Sequence, residues 1–469
     1  MNFKKTAILA AIAVLVITMA CGGSKKTETS VMSNNQDSIT ACNADSLMAQ
    51  LSPNIPHEVD AVLGLAYNSI LPGVQPCFDI FSWQTFVALN WPADAAGNPL
   101  PNFTDSAQAQ RVWEYYQAPS QVFQTNEFLL PFKGPYKMQP GLKGLHQFAT
   151  LSSEMAITLP DSIKQATGQP LIDKNLNFVL YEIKMNPDEV NYINTYSLNT
   201  TEGQQAFKND SNSIFFPTGT YTAGIGAMEI KSTWKILVSG KDNFSSYYTR
   251  PAVIYVPASQ SANKQPLYLK ETVGLVAMHI IHKTNRFQTW VWSSFEHINN
   301  APEKAGVDTA TNIYAFYNPV CKTCKTNAKP PKANPYVWQI QKPYAANYAN
   351  IVNSDSFGTQ VVRTNPVYVP TDNINKKMQK KLNNLKSVFA NYRLIGSQWA
   401  ISQDSPPFGL ILAPDTLANT TLETYVQNSS CTMTCHKFAT DAVGAPSDFS
   451  FLLAHARSTA YLKAINKKK

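Results

Sequence analysis

The fold is decided by LYLKETVGLVAMHIIH, residues Leu267–His282, and by TWVWSSFEH, residues Thr289–His297, which follows across a short turn. Both segments are rich in Val, Ile, Thr and Trp, whose branched or flat side chains suit a pleated, half-buried surface. Working outward, Ala227–Leu237 and Tyr247–Tyr255 have the same character. The connections between these segments are short. Such lengths suit hairpins and meanders better than parallel crossovers, so an antiparallel sheet of about four or five strands is expected. On the N-terminal side, Asp79–Leu89 (DIFSWQTFVAL) reads as a helix stopped by Asn90-Trp91-Pro92, and Ser106–Gln117 as a second. Asn177–Lys184 alternates like a strand. Asn186-Pro187 then starts a short helix, with Asn186 as cap and Pro187 at the first helical position. Thr201–Lys208 reads as another helix, with its cap at Asn199 or Thr200. On the C-terminal side, Ala310–Pro370 is an irregular excursion rich in Asn, Pro, Tyr and Lys. Helices are expected at Asp372–Tyr392, Leu422–Gln427 and Phe449–Ser458.

Three of the seven histidines fall in the segment that decides the fold: His279, His282 and His297. Side chains alternate along a strand, so His279 and His282 face opposite sides and do not both reach one metal. Two readings stand for them. They are packed side chains bonded to backbone or to Glu296, or one of them, with His279 preferred, approaches a metal as a ligand or acid/base group.

The chemistry concentrates near the C-terminus, in Cys431-Thr432-Met433-Thr434-Cys435-His436. Two thiols on one short turn with an imidazole directly after the second suit the covalent attachment of haem. The thiols add across the vinyl groups and the histidine reaches the iron from one side. The spacing is one residue longer than the usual C-x-x-C-H. A local disulfide, a metal site and inert thiols are the other readings of the same residues. On the leading one, Cys431 and Cys435 bind haem c and His436 is the iron ligand.

The N-terminus sets the compartment. Lys4 and Lys5 precede the apolar run Ala7–Ala20, and Cys21 follows a small residue. The run is short for a membrane span and reads as a lipoprotein signal over 1–20, cleaved so that Cys21 carries lipid. With no aspartate after Cys21, a lipid-anchored place in the cell envelope, at the outer membrane, is expected. Residues 21–45 read as a flexible tether. Export permits disulfides. Cys321 and Cys324 most simply form a short-loop disulfide. A second haem there, with Lys325 in the histidine's place, and a four-thiolate zinc site with Cys431 and Cys435 are the alternatives. Cys42 and Cys77 make up the even number.

The formal charge of +8 is spread over lysines at both ends, around Lys325–Lys332 and at Lys376–Lys381. No basic patch interleaves with aromatics, so no nucleic-acid partner is expected. There is no G-x-S-x-G, no H-E-x-x-H and no phosphate-cradling glycine loop among the 20 glycines. Asp60, Glu229 and Glu296 stand alone in apolar context and read as solvated or locally bonded carboxylates.

Five blocks carry a resemblance: FSWQTFVALNWP from Phe81, EIKSTWKIL from Glu229, VGLVAMHIIHKT from Val273, WVWSSFEHINNAP from Trp290 and LANTTLETYVQNSSCTMTCHKFA from Leu417. Together they resemble a poorly characterised family of exported bacterial cytochrome c-like proteins, over about Cys77–Ala456. The resemblance implies thioether positions at Cys431 and Cys435 and a proximal ligand at His436, and it implies no substrate. Members of that family carry two residues between the haem cysteines, whereas this chain carries three. The expected whole is an α+β protein: a central antiparallel sheet with flanking helices over 46–370, and a helical C-terminal cytochrome c-like, haem-binding region over 371–469. Its expected role is redox, with an unidentified redox partner. A haem-free, disulfide-containing lipoprotein that binds or supports other molecules is the alternative.

Overall fold

The computed structural model describes residues 51–59, 74–103, 109–123, 143–146, 169–303, 313–330, 337–347, 358–400, 412–413, 416–429 and 435–466. The signal, the tether, Cys21, Cys42 and Cys431 lie outside the described residues. Among the described residues no helix is long and apolar enough to cross a membrane.

Eight strands form one sheet: β1 (Lys143–His146), β2 (Leu180–Met185), β3 (Met228–Ile236), β4 (Thr249–Val256), β5 (Leu267–His282), β6 (Val291–His297), β7 (Tyr392–Ala400) and β8 (Leu412–Ala413). The 16-residue β5 organises it. One edge of β5 pairs with β3, from Ile236↔Val273 to Met228↔His282. The other edge is shared, with β4 on residues 267–274 and β6 on residues 277–282. The sheet continues from β6 to β7 and β8, and from β3 to β2. These pairings are antiparallel, whereas β1 runs parallel to β4. The four core strands are those the sequence predicts.

Cross-strand partners share a face, which defines two sides. Ile230, Ile280, Ser293 and Ser397 form one row of the first face; Ser232, Met278, Phe295 and Leu394 form the next. Helix α1 (Gln75–Leu89) covers this face with nearly all its side chains buried, as its apolar sequence predicts. Phe86 stacks on Phe295 at 4.2 Å between ring centres. Ser82 Oγ meets Ser293 Oγ at 2.7 Å and Ser397 Oγ at 2.6 Å. Three hydroxyls thereby satisfy one another in a setting where each alone would be costly. Helices α2 (Pro187–Thr195) and α3 (Thr201–Asn209) start at Asn186 and Thr200, whose side chains accept the third helical N–H. Helix α4 (Val369–Asn384) flanks α1. Trp83 Nε1 donates to Asn375 Oδ1 at 2.9 Å and Thr371 Oγ1 donates to Asp79 Oδ2 at 2.6 Å.

The expected helical C-terminal region differs. The helix expected over Asp372–Tyr392 stops at Asn384, Lys386 takes a positive φ of 54°, and Tyr392 opens β7. Region 371–469 therefore supplies a strand, β7, to the core sheet. Leu422–Gln427 consists of turns, not a helix. Around it, Asn419, Thr420, Thr421 and Thr424 spend side-chain groups on nearby backbone and strand atoms, an alternative to the helical ladder. Phe449–Ser458 holds only a 3-10 turn at Leu452–His455, and α5 (Thr459–Asn466) begins later. Asp448 and Phe449 have positive φ, which a right-handed helix excludes. Within the expected helix Ser106–Gln117, the described part contains a 3-10 turn at Val112–Tyr115. No cytochrome c-like helical domain is formed by the described C-terminal residues.

Candidate functional site

The second face of the sheet presents Lys231, His279, Ser294 and Gly396 in one row. Glu229, Ile281, Trp292 and Gln398 form the row on one side, and Thr233, Ala277, Glu296 and Arg393 the row on the other. The C-terminal residues from Leu417 onward cover this face. Gly396 admits them closely: a Cβ there would stand 3.3 Å from Leu417 Cδ1. Asn419 Nδ2 donates to Ser294 Oγ at 3.2 Å and to the Phe295 carbonyl at 2.9 Å. Thr420 Oγ1 donates to Glu296 Oε2 at 2.7 Å. Glu296 is not solvated. It is fully buried between Arg363, which reaches it from the irregular excursion, and Arg393 of β7 at 3.1 Å. Burial pushes its carboxyl up, but the two guanidinium charges win and hold it at about 2.

His436 lies over this face. Its ring meets Trp292 at 4.7 Å and Phe451 at 5.0 Å, both edge-on. Nδ1 lies 2.8 Å from the Phe449 carbonyl oxygen, so Nδ1 carries the proton and donates it, and Nε2 keeps its lone pair. Burial, more than any other cause, lowers the imidazole to about 4. The nearby charges of Lys231 and His279 add to the lowering, while the Phe449 contact and Glu423 oppose it. His436 is therefore neutral at neutral pH, the form that binds a metal. Cys435, beside it, is a free thiol and not half of a local disulfide. Burial and the Glu423 charge raise its pKa, so it stays protonated.

His279 and His436 thus belong to one electrostatic cluster, together with Lys231 and Glu423. His279 Nε2 faces Glu423 Oε2 at 3.4 Å, close enough for attraction though not aligned as a hydrogen bond. Burial raises Glu423, but the His279 charge, the Asn419 N–H at 2.8 Å and Lys231 bring it below the ordinary value. His282 points to the other side of the sheet, as alternation predicts. It donates from Nε2 to the Ile225 carbonyl at 2.7 Å and stacks on Phe81. His297 contacts the Ser246 carbonyl at 2.8 Å and stacks on Tyr247. Both are packing histidines, lowered to about 4 chiefly by burial.

Next to this cluster, Glu229 is also buried and meets Glu189 of α2. Burial and the neighbouring Glu229 charge lift Glu189 well above its usual range, and burial lifts Glu229 to about 7. Two buried acids side by side do not both ionise, and a shared proton satisfies oxygens that have no other donor.

Cys321 and Cys324 form a disulfide, which removes both the second-haem and the four-thiolate zinc readings at that pair. Cys77 is also disulfide-bonded. No group of three or more His, Cys, Asp or Glu among the described residues is arranged to hold a metal ion. For a haem iron, the residues present fit the proximal side: a free thiol, a neutral histidine with Nδ1 engaged by a carbonyl, and flanking aromatic rings. Sequence reasoning missed Glu423, Lys231 and the Phe449 carbonyl. Glu423 is the one acid in LANTTLETYVQNSSCTMTCHKFA, and that solitary carboxylate is the available signal. The chain matches no family model, no curated protein and no solved structure.

Proposed function

We propose that this chain is an exported, lipid-anchored c-type haem protein with a redox role, with haem c joined to Cys431 and Cys435 and its iron bound by His436. The observation that carries the reading is the His436 ring. Its Nδ1–H is given to the Phe449 carbonyl and its Nε2 is left as a neutral donor, immediately after a free thiol. When bound, the haem supplies one-electron chemistry at iron, and the protein sets its potential and access. The residues of the second face then have separable tasks. The Phe449 carbonyl fixes the His436 tautomer and strengthens it as a donor. Trp292 and Phe451 exclude water from its ring. Lys231 places a positive charge near the thiol and imidazole, which suits the carboxylates of a porphyrin. His279 and Glu423 form a histidine–carboxylate pair beside the site, with His279 also the candidate for a sixth ligand. Lipid on Cys21 holds the protein to a membrane, and a redox partner of the envelope exchanges electrons with it.

The test is the visible absorption spectrum of the chain produced with a haem-attachment system. A Soret band with sharp reduced bands is expected. A colourless protein would favour the haem-free, disulfide-containing binding module instead. Cyanide or carbon monoxide then sorts an open sixth position, suited to oxidation chemistry, from a closed one suited to electron transfer.

A further inference from the structure

Three non-glycine residues with positive φ meet behind His436: Trp290 at 69°, Asp448 at 52° and Phe449 at 68°. Bulky residues in the left-handed region persist only where their surroundings over-determine them, and such strain gathers at functional sites. Here the surroundings converge on Asp448. Trp290 Nε1 donates to its carbonyl at 2.9 Å, and the Phe216 N–H donates to Oδ2 at 2.8 Å. The same Oδ2 pairs with the ammonium of Lys283, a fully buried side chain. That ammonium also lies over the Phe215 ring at 3.5 Å and near the Trp290 ring at 5.8 Å. Lys283 follows β5 directly and is fixed at both ends: its N–H donates to the Ala227 carbonyl at 2.9 Å and its carbonyl accepts from Gly219 at 2.9 Å. A rigid strand end thereby grips Asp448, and the residue after Asp448 offers its carbonyl to His436 Nδ1 at 2.8 Å.

We infer that Lys283 is a positioning residue: through Asp448 it holds the Phe449 carbonyl where it receives the His436 Nδ1 proton, and so keeps the imidazole in the tautomer with a bare Nε2. A buried ion pair has no need of this arrangement for stability, since hydrophobic replacements are often neutral or better. The strained backbone between the pair and the imidazole is what the positioning role explains. The inference rests on the proposed function for its purpose, but its test reads the histidine without haem.

The full chain, labelled with nitrogen-15 in histidine and free of haem, is compared with Lys283→Met at neutral pH by long-range proton–nitrogen correlation. The His436 signals are identified by their loss in His436→Gln. The wild-type chain is expected to show the single Nδ1–H tautomer at His436. Lys283→Met should lose that single pattern and show both tautomers there, with the other six histidines unchanged, and Lys283→Arg should restore it. A folded Lys283→Met protein that keeps the Nδ1–H pattern overturns the inference. If Lys283→Met does not fold, Trp290→Phe, which removes the donor to the Asp448 carbonyl while keeping an aromatic ring, carries the same test: a mixed His436 pattern supports the positioning chain and an unchanged one overturns it. Absence of haem from the wild-type chain made with a haem-attachment system would count against the proposed function and leave this result standing.

Discussion

The two faces of the central sheet are held in opposite ways. On the first, α1 and α4 lay regular, mostly apolar surfaces on Ile230, Ile280, Phe295 and Leu394, with the Ser82, Ser293 and Ser397 hydroxyls closing on one another. On the second, a string of turns is tied to the strands through Glu296, Ser294 and His279, side chains more than a hundred residues away in sequence. The first face is a core that any amphipathic helix pair would make. The second fixes one particular conformation of an irregular segment, and that segment carries the Cys435–His436 site. Apolar packing dominates one side, and polar and charged ties dominate the other.

Removing packing from the first face should have the largest effect. Phe86→Ala deletes a ring stacked on Phe295 and should lower global stability by about 4 kcal/mol, read as a shift in the urea midpoint. The transition should stay single and cooperative. Glu296→Gln should cost about 3 kcal/mol, because Arg363 and Arg393 keep their charges and lose the carboxylate between them. Its distinguishing mark is local. Limited proteolysis should cut within 416–456 before the sheet unfolds. Equal protection of that segment in both variants would erase the distinction between the faces.

The pH dependence should then carry opposite signs at individual buried groups of the two faces. Glu229 on the second face is raised to about 7, so the folded state holds a proton that the unfolded state releases near its ordinary value. Its contribution is full below about 4.5 and is lost as pH rises through about 7. The span corresponds to a few kcal/mol, on the order of 3, and Glu229→Gln should remove it. His282 and His297 on the first face are lowered to about 4. Their contribution is present above about 6.5 and is lost as pH falls through about 4. Urea midpoints of the wild type and Glu229→Gln measured across that range should diverge upward in pH, with the variant less sensitive. The smallest effect is expected from Ser82→Ala, at about 1 kcal/mol, since only neutral hydroxyl bonds to Ser293 and Ser397 are lost.

What the sequence made legible follows the same division. Leu267–His282 was read to its observed ends because β-branched residues fill it, and DIFSWQTFVAL announced α1 by its apolar run. Asn186-Pro187 marked the start of α2 through local capping chemistry alone. Alternation put His279 and His282 on opposite sides, as observed. The C-terminal segment was misread as helical because its Asn, Thr and Ser residues give no local sign of which distant strand atoms they will bond. Glu296 reads only as a solvated or locally bonded carboxylate for a similar reason: Arg363 reaches it from the far end of an irregular excursion, and no spacing rule announces that meeting. The motif itself was legible as chemistry. The carbonyl that aligns His436 was not, because it belongs to a positive-φ phenylalanine that resembles any other.

The central claim is a haem held covalently beside His436, and acid–acetone extraction of the purified chain made with a haem-attachment system tests it most directly. The account predicts that the colour stays with the protein pellet, that the intact mass of the processed chain is higher by one haem, and that Cys435→Ser loses at least one of the two bonds. Colour that leaves with the solvent, or a chain of unmodified mass and no colour, would contradict it.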